Sequence, residues 1–493
     1  MTASGVIEGR HLIDGQWVPG SPAFESLSVR DGSVLCQAPT ADAAVVDHAV
    51  RAARRAFDES GWKERRAADR ACVLLELGRR LDDAAEEISR LVATEMGKPY
   101  RITLEREVRG AADKFRYYAG AARAMQGQVT GASPAHILDI TVPHPVGVCA
   151  LIIPWNDPVD LAVRKIGAAL AVGCTVVVKP SEETPASTQA LIRLFDGLPG
   201  LPDGVVNMVH GPGDPTGQAL VTHPDVDKVS FTGSTQTGRA IMASAASTLK
   251  RLSLECGGKA PCLVFEDCYL DKALDALSYG AFLYGGQSCT AATRIIVQRP
   301  LYEQFLAELT RRAQAMPAGD PLDPATLIGP MVSQRQVDRV RAFLDQADAE
   351  GSTIVTGGTV DGLHIAPTIV TGLRPDSTLA TSEIFGPVVC VFAADGEDEA
   401  IAIANGVRYG LGASVWTADV SRALRVSRRI AAGDVWINTH YIRQSETPFG
   451  GWKESGIGRE LGLAGMQEYL AYQRVAFDTT PDFHLKTWFE SQA

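Results

Sequence analysis

Cys289 closes the segment GGQSC and is followed by TAATR, a thiol among small and polar neighbours with no second cysteine nearby. Such a thiol is either a small apolar filler or a nucleophile, and Gly285, Gly286, Gln287, Ser288 and Thr290 leave room for a substrate to reach it. Cys149, Cys262 and Cys390 differ, since each sits in a β-branched apolar run and reads as filler. Glu255 ends the run RLSLE, before Cys256, Gly257 and Gly258. It is either a strand-edge carboxylate or a general base whose surroundings raise its proton affinity. Asn156, in IIPWNDP, falls in a turn after an apolar strand, with Pro158 restricting Asp157. Its amide can serve the turn itself or aim its N–H₂ at an oxyanion.

Two further segments point to a nucleotide. VSFTGSTQTGRAI, 229–241, reads as strand, glycine turn and helix. There Gly233 and Gly238 allow close backbone approach, and the helix start offers free N–H groups to a phosphate. In TVVVKPSEETP, Lys179 and Glu182 follow a predicted strand end, where ligands bind in open α/β sheets and a carboxylate partners ribose hydroxyls.

These residues must be held by a large framework. At 493 residues and 45% hydrophobic content the chain suits two or three domains. A net charge of −11 with dispersed basic residues argues against nucleic acid. No apolar run is long enough for a membrane span, and the N-terminal segment lacks the apolar core of a signal peptide, so the expected location is the cytoplasm. The nine cysteines show no zinc spacing, so neither a disulfide framework nor a metal site is expected. Apolar residues at three-to-four spacing predict two helices between 42 and 92, stopped by Gly97 and Pro99, and a third over 105–125. From 146 onward short β-branched runs alternate with helical stretches, the signature of parallel sheets covered by helices, and a second set of strands begins after 257. The segments 137–147 and 472–477 alternate like exposed strands, which often pair with another subunit.

In order and spacing, PWN (154–156), KPSE (179–182), FTGSTQTG (231–238), LECGGK (254–259), GGQSC (285–289), EIFGPV (383–388) and PFGGWKESGIGRE (448–460) resemble the NAD(P)-dependent aldehyde dehydrogenase superfamily. The resemblance spans roughly residues 10 to 480. It implies an α/β fold with a Rossmann-like NAD-binding domain (1–125 and 147–256), an α/β catalytic domain (257–458) and a small β oligomerisation hairpin with bridging segments (126–146 and 459–493). It further implies a homodimer or homotetramer. Cys289 is then the nucleophile that forms a thiohemiacetal and a thioester, and a thiolate-favouring site is expected. Asn156 and the Cys289 N–H would hold the oxyanion, and Glu255 would activate water. Lys165 and Glu460 match a proton-relay pair. Lys179 and Glu182 match the adenosine-ribose contacts, Ser234 in the Gly233 turn the pyrophosphate contact, and Glu383 with Phe385 the nicotinamide-ribose clamp; Ile153, Trp155 and Gly257 complete the expected NAD site. A carboxylate at 182 repels a 2′-phosphate, which favours NAD while leaving NADP as a second acceptor.

The departures from the family pattern concern the substrate. Asp157 stands where relatives commonly carry an aromatic residue, and Asp160, Arg164, Tyr441 and Arg443 add polar groups to a wall that Ser288, Thr290 and Phe449 complete. A charged tunnel disfavours long alkyl aldehydes, because stripping water from unpaired ions is costly, so a polar, hydroxylated or charged small-molecule aldehyde is expected. The alternative is that Asp157 pairs with Arg164 or Arg443 and merely lines the wall. Cys256, where leucine is usual, is expected to be a packing substitution, with oxidative coupling to Cys289 as the competing idea. Two other readings remain: transfer of the acyl group to coenzyme A, which the presence of Glu255 disfavours, and a non-catalytic scaffold.

Overall fold

The computed structural model describes residues 5–479; the ends of the first predicted domain (1–4) and of the last bridging segment (480–493) lie outside the described residues. Two large sheets organise the chain. The first has eight strands in the order Gly456–Ile457, Arg251–Glu255, Lys228–Thr232, Val148–Ile152, Thr175–Lys179, Val206–Met208, His11–Ile13 and Gln16–Val18. Its five central strands are parallel and the flanking ones antiparallel. The central strands are uninterrupted runs such as VCALI and TVVVK, buried along their whole length, as expected when helices cover both faces.

The second sheet runs Thr353–Thr356, Thr368–Thr371, Val388–Ala394, Arg294–Gln298, Pro261–Val264, Gly412–Trp416 and Asp434–Ile437, parallel except at the first pairing. Two of its strands, Thr368–Thr371 and Gly412–Trp416, were not anticipated.

The helices begin and end where the chain chemistry directs. Asp42 accepts from the Val45 N–H at 2.9 Å to cap Ala43–Glu59, and Gly97 and Gly173, both left-handed, end Ala85–Met96 and Pro158–Val172. The second predicted helix is two, Ala67–Asp83 and Ala85–Met96, because the backbone leaves helical geometry at Ala84. The buried stripe Leu77, Leu81, Ala85, Ile88, Val92 continues across this bend, so periodicity alone shows no break. The third contains a wide π-helical turn, Thr103–Val108, before Arg109–Arg123.

The two exposed alternating segments pair with each other rather than standing free. Ile137–Pro145 and Leu470–Asp478 run antiparallel from Leu470↔Pro145 to Asp478↔Ile137, with Gln128–Thr130 on the other side. Arg474 clasps Asp139 through two bonds of 2.7 and 2.8 Å. Their alternation therefore reflects a small sheet closed within one chain, which leaves only its outer edges for another subunit.

Candidate active site

The strand order of the first sheet reverses beside Val148–Ile152, since the chain moves from there to Thr175–Lys179 on one side and later to Lys228–Thr232 on the other. A crevice forms at the carboxyl ends of the strands at such a switch point. Trp155 and Asn156 follow the first of these strands, Lys179 ends the second, Gly233 and Ser234 follow the third, and Glu255 ends the fourth. Residues 179 and 255, far apart in sequence, are thus brought to one rim by sheet topology.

Glu255 is buried, and neither carboxyl oxygen has a hydrogen-bond partner. Burial, then the nearby Glu460 carboxylate, push its proton affinity well above the usual carboxylate range, against the pull of Lys165. Glu460 is itself held by Lys165, whose Nζ also donates to Thr232 Oγ1 at 2.8 Å. The expected relay pair is therefore in contact. Cys289 is half-buried against Phe449, Leu411 and Leu461. A Cβ on Gly258 would lie 2.3 Å from the Cys289 carbonyl oxygen, and one on Gly450, next to Phe449, would lie 2.8 Å from Glu255 Oε1. The segments carrying thiol and carboxylate thus approach within the space that glycine leaves. Asn156 is buried, with its Nδ2 3.5 Å from the Asp157 carboxylate.

The protein's own groups do not favour the thiolate that was expected. Enclosure pushes the Cys289 thiol up to about 11, while Arg443 and Arg164 pull the other way without prevailing. The thiol proton therefore needs a base when sulfur attacks. Cys256 belongs to the apolar cluster under the first sheet, and its sulfur would stand 2.7 Å from a Cβ on Gly238. Burial pushes its thiol up to about 12, in keeping with a packing substitution. A Cβ on Gly233 would lie 2.5 Å from the Phe231 ring, so Gly238 and Gly233 are required by packing inside the chain as much as by any ligand.

The nucleotide-side residues form a consistent set. Ser234 caps the helix Thr235–Ala245, accepting from the Thr237 N–H at 3.1 Å, and leaves first-turn N–H groups for an anion. Lys179 is buried, donating to the carbonyls of Pro180 and Gly211 at 2.7 and 2.8 Å; burial lowers its affinity to about 8. Among the described residues no carboxylate lies within ion-pair reach of its Nζ, and half-buried Glu182 follows three positions on. Ile153 N–H bonds the Lys179 carbonyl at 2.9 Å, fixing the two strand ends together. Glu383 accepts from the Gly258 N–H at 2.9 Å, and its packing pushes it up to about 7. A Cβ on Gly257 would strike its carboxylate at 2.1 Å. Trp155 meets Phe385 edge-on at 5.2 Å, Phe385 having a left-handed φ of 63°. A lone buried ammonium, an anion-seeking helix start and a carboxylate without a cation partner fit a dinucleotide that brings phosphates and hydroxyls.

Of the residues expected in the substrate wall, Asp157, Asp160, Arg164, Tyr441 and Arg443 line one cavity, whereas Ser288, Thr290 and Phe449 do not, and the charges are paired differently than expected. Asp157 pairs with neither Arg164 nor Arg443; its carboxylate and that of Glu107 both hold Lys98, a fully buried lysine. Lys98 is the residue that sequence reasoning missed: in MGKP it signalled only a helix end. Glu107 lies in the π-helical turn and also accepts from the Val159 N–H at 3.0 Å, capping Pro158–Val172. Asp160 takes Lys114 at 2.7 Å and Arg164, and these cations overcome burial to keep it ionised. Arg443 donates to Thr290 Oγ1. Glu107, Lys114, Asp157, Asp160, Arg164 and Arg443, with Tyr284 and Tyr441, border a cavity of about 610 Å³. Lys98→Met is expected to lower the unfolding free energy by about 3–5 kcal/mol in urea titration, because it leaves two carboxylates without their shared cation.

Over residues 17–475 the chain matches the family model described as the aldehyde dehydrogenase family. The chain belongs to the aldehyde dehydrogenase family. It is 39% identical over 474 residues to the NADP/NAD-dependent aldehyde dehydrogenase PuuC of Escherichia coli, covering 95% of each chain. It is 40% identical over 478 residues to a betaine aldehyde dehydrogenase of Rhizobium leguminosarum, covering 94% of this chain and 96% of that one. Among solved structures it superimposes on an NAD-dependent aldehyde dehydrogenase of Sinorhizobium meliloti with a TM-score of 0.96 at 37% identity, covering 98% and 97% of the two chains. Betaine aldehyde dehydrogenase of Staphylococcus aureus in complex with NAD+ gives a TM-score of 0.95 at 34% identity over the same shares. As an aldehyde dehydrogenase fold, the α/β architecture read from the sequence holds along nearly the whole chain.

Proposed function

We propose that this aldehyde dehydrogenase oxidises a polar aldehyde to the carboxylic acid through covalent catalysis at Cys289, with NAD as acceptor. The observation that carries this reading is a buried carboxylate with no hydrogen-bond partner at the end of one strand, three residues before a glycine whose backbone packs on the half-buried Cys289, with the buried Asn156 amide following another strand of the same sheet. NAD, when bound, supplies the hydride acceptor. The Cys289 sulfur adds to the aldehyde carbon while its proton passes to Glu255, which burial has made a stronger base than an ordinary carboxylate. The Asn156 amide and the Cys289 backbone N–H would donate to the oxygen that becomes negative. Loss of hydride from the adduct leaves a thioester on Cys289. Once Glu255 has shed its proton towards the Lys165–Glu460 pair, it takes a proton from water, whose oxygen attacks the thioester carbon and releases the acid and the thiol.

Lys179 and Glu182 address the adenosine ribose, Ser234 and its helix start the phosphates, and Glu383 with Phe385 the nicotinamide ribose. Glu182 repels a 2′-phosphate, which supports NAD over NADP as the preferred acceptor, although the Escherichia coli relative is named for both. Asn156→Ala is expected to lower kcat by about 10²–10³, since one oxyanion donor is lost; steady-state NADH formation measures it. The charged cavity supports a polar substrate, and faster turnover of long alkanals than of polar aldehydes would contradict that.

The division into 1–125 with 147–256, 257–458, and 126–146 with 459–493 remains our reading of how cofactor, chemistry and assembly are shared. Val129, Leu138, Tyr472 and Phe477 are exposed on the small sheet, which supports a homodimer or homotetramer formed there. Nine free cysteines support a reducing, cytoplasmic setting, and no helix among the described residues is long and apolar enough to cross a membrane. The test of the reaction is NADH formation from NAD and aldehyde without coenzyme A. Turnover is expected, and an absolute requirement for coenzyme A would contradict it.

A further inference from the structure

Four cations border the cavity, Arg106, Lys114, Arg164 and Arg443. Lys114 and Arg164 share Asp160. Among the described residues no carboxylate lies within 4.0 Å of Arg106 or Arg443, and of these two Arg106 is exposed whereas Arg443 is half-buried. Its contact is with a neutral hydroxyl, Thr290 Oγ1, and its enclosed Nε has no hydrogen-bond partner. The side chain is only half-buried and faces the cavity. A planar guanidinium with donors left over is the group best shaped to receive a carboxylate through two parallel bonds.

Its place is set by the reacting residue. Thr290 follows Cys289 directly, and the Arg443 guanidinium lies 4.9 Å from the centroid of Phe449, a member of the small cluster against which Cys289 packs. Arg164 lies on the same ring at 5.4 Å. An anion at Arg443 would therefore sit near the carbonyl under attack, and a substrate cation would be repelled there. Towards the mouth the groups are solvated: exposed Arg106 lies over Tyr279, exposed Asp113 accepts from Ser445 Oγ at 2.7 Å, and Glu446 is exposed. Water screens these mouth charges more strongly than those further in.

We propose that Arg443 is the substrate's anion site, so that the preferred aldehydes carry a carboxylate held by its guanidinium while the formyl carbon meets Cys289. This rests on the aldehyde dehydrogenase reading above and narrows it. Several relatives are named betaine aldehyde dehydrogenases, but a cation beside the nucleophile turns this chain towards the opposite charge.

The test compares butanal, its ω-carboxylate counterpart and its ω-trimethylammonium counterpart, with saturating NAD, in the wild type, Arg443→Gln and Arg443→Lys. The wild type should prefer the carboxylate over butanal by roughly 10- to 100-fold in kcat/KM, the span of one charge-assisted contact, with the ammonium compound below butanal. Arg443→Gln should bring the carboxylate-to-butanal ratio near unity, mainly through KM, and Arg443→Lys should restore part of it. A residue that only supported the thiol would slow all three aldehydes alike, and that result would overturn the proposal. So would equal wild-type use of carboxylate and butanal, or preference for the cation. The wild-type ranking decides the matter even if a variant fails to fold. NADH from butanal without a carboxylate preference would refute the anion site alone, whereas NADH from none of the three would refute the dehydrogenase reading and the anion site with it.

Discussion

Cys289→Ala is expected to remove NADH formation with every aldehyde, a loss of about 10⁴-fold or more, as when a nucleophile is deleted from a site whose groups act as a unit. No other thiol can take its place. Cys256 is adjacent in sequence to the base, but its sulfur faces Gly238 inside an apolar cluster, and burial holds the thiol protonated up to about 12. The loss should be chemical rather than structural. Cys289 is half-buried at the rim of a small cluster, so truncation to a methyl should move the melting temperature little, and NAD binding followed by fluorescence should persist. Unfolding of the variant, or residual turnover within tenfold of wild type, would contradict the assignment.

Glu255→Gln is the second large effect: steady-state turnover should fall by about 10²–10⁴, the usual contribution of a positioned base. The pH dependence carries the sharper information. In the wild type, burial and Glu460 raise the affinity of Glu255, so its base form is depleted at pH values where an ordinary carboxylate is fully ionised. Activity should therefore fall with decreasing pH through an apparent pKa above the usual carboxylate range, and rise as pH rises. In Glu255→Gln that limb disappears. What replaces it is ionisation of the thiol, which the protein's own groups place at about 11. A first-turnover burst of NADH should thus recover as pH approaches that value, while hydrolysis of the thioester, still lacking its base, stays slow. Stopped-flow absorbance separates the two phases.

What the sequence made legible, and what it did not, follows the reach of each signal. The strands VCALI, TVVVK and KVSFT announce themselves by local composition, and the motifs at their ends carry Asn156, Lys179 and Ser234 with them. Thr368–Thr371 and Gly412–Trp416 escaped, the second because GASVW opens with small residues whose strand geometry comes from neighbours on both sides; the first is as short as other strands that were read. Pairing of Ile137–Pro145 with Leu470–Asp478 was invisible because alternation shows a strand, not its partner. The ion clusters were half legible: Asp157, Asp160 and Arg164 were marked, but Lys98 is brought to Asp157 by tertiary packing across 59 positions, and Glu107 reaches it from a π-helical turn. Thiol acidity was misjudged for a related reason: small neighbours in sequence suggest access, whereas the side chains that enclose Cys289 come from residues 411, 449 and 461.

The most direct measurement is the intact mass of Glu255→Gln, quenched in acid after mixing with NAD and an aldehyde at alkaline pH, followed by peptide mapping. A mass increase equal to the acyl group, located on Cys289 and formed in step with the NADH burst, is the predicted result. NADH formation with Cys289 unmodified throughout, or an acyl group found on another residue, would contradict covalent catalysis at this thiol.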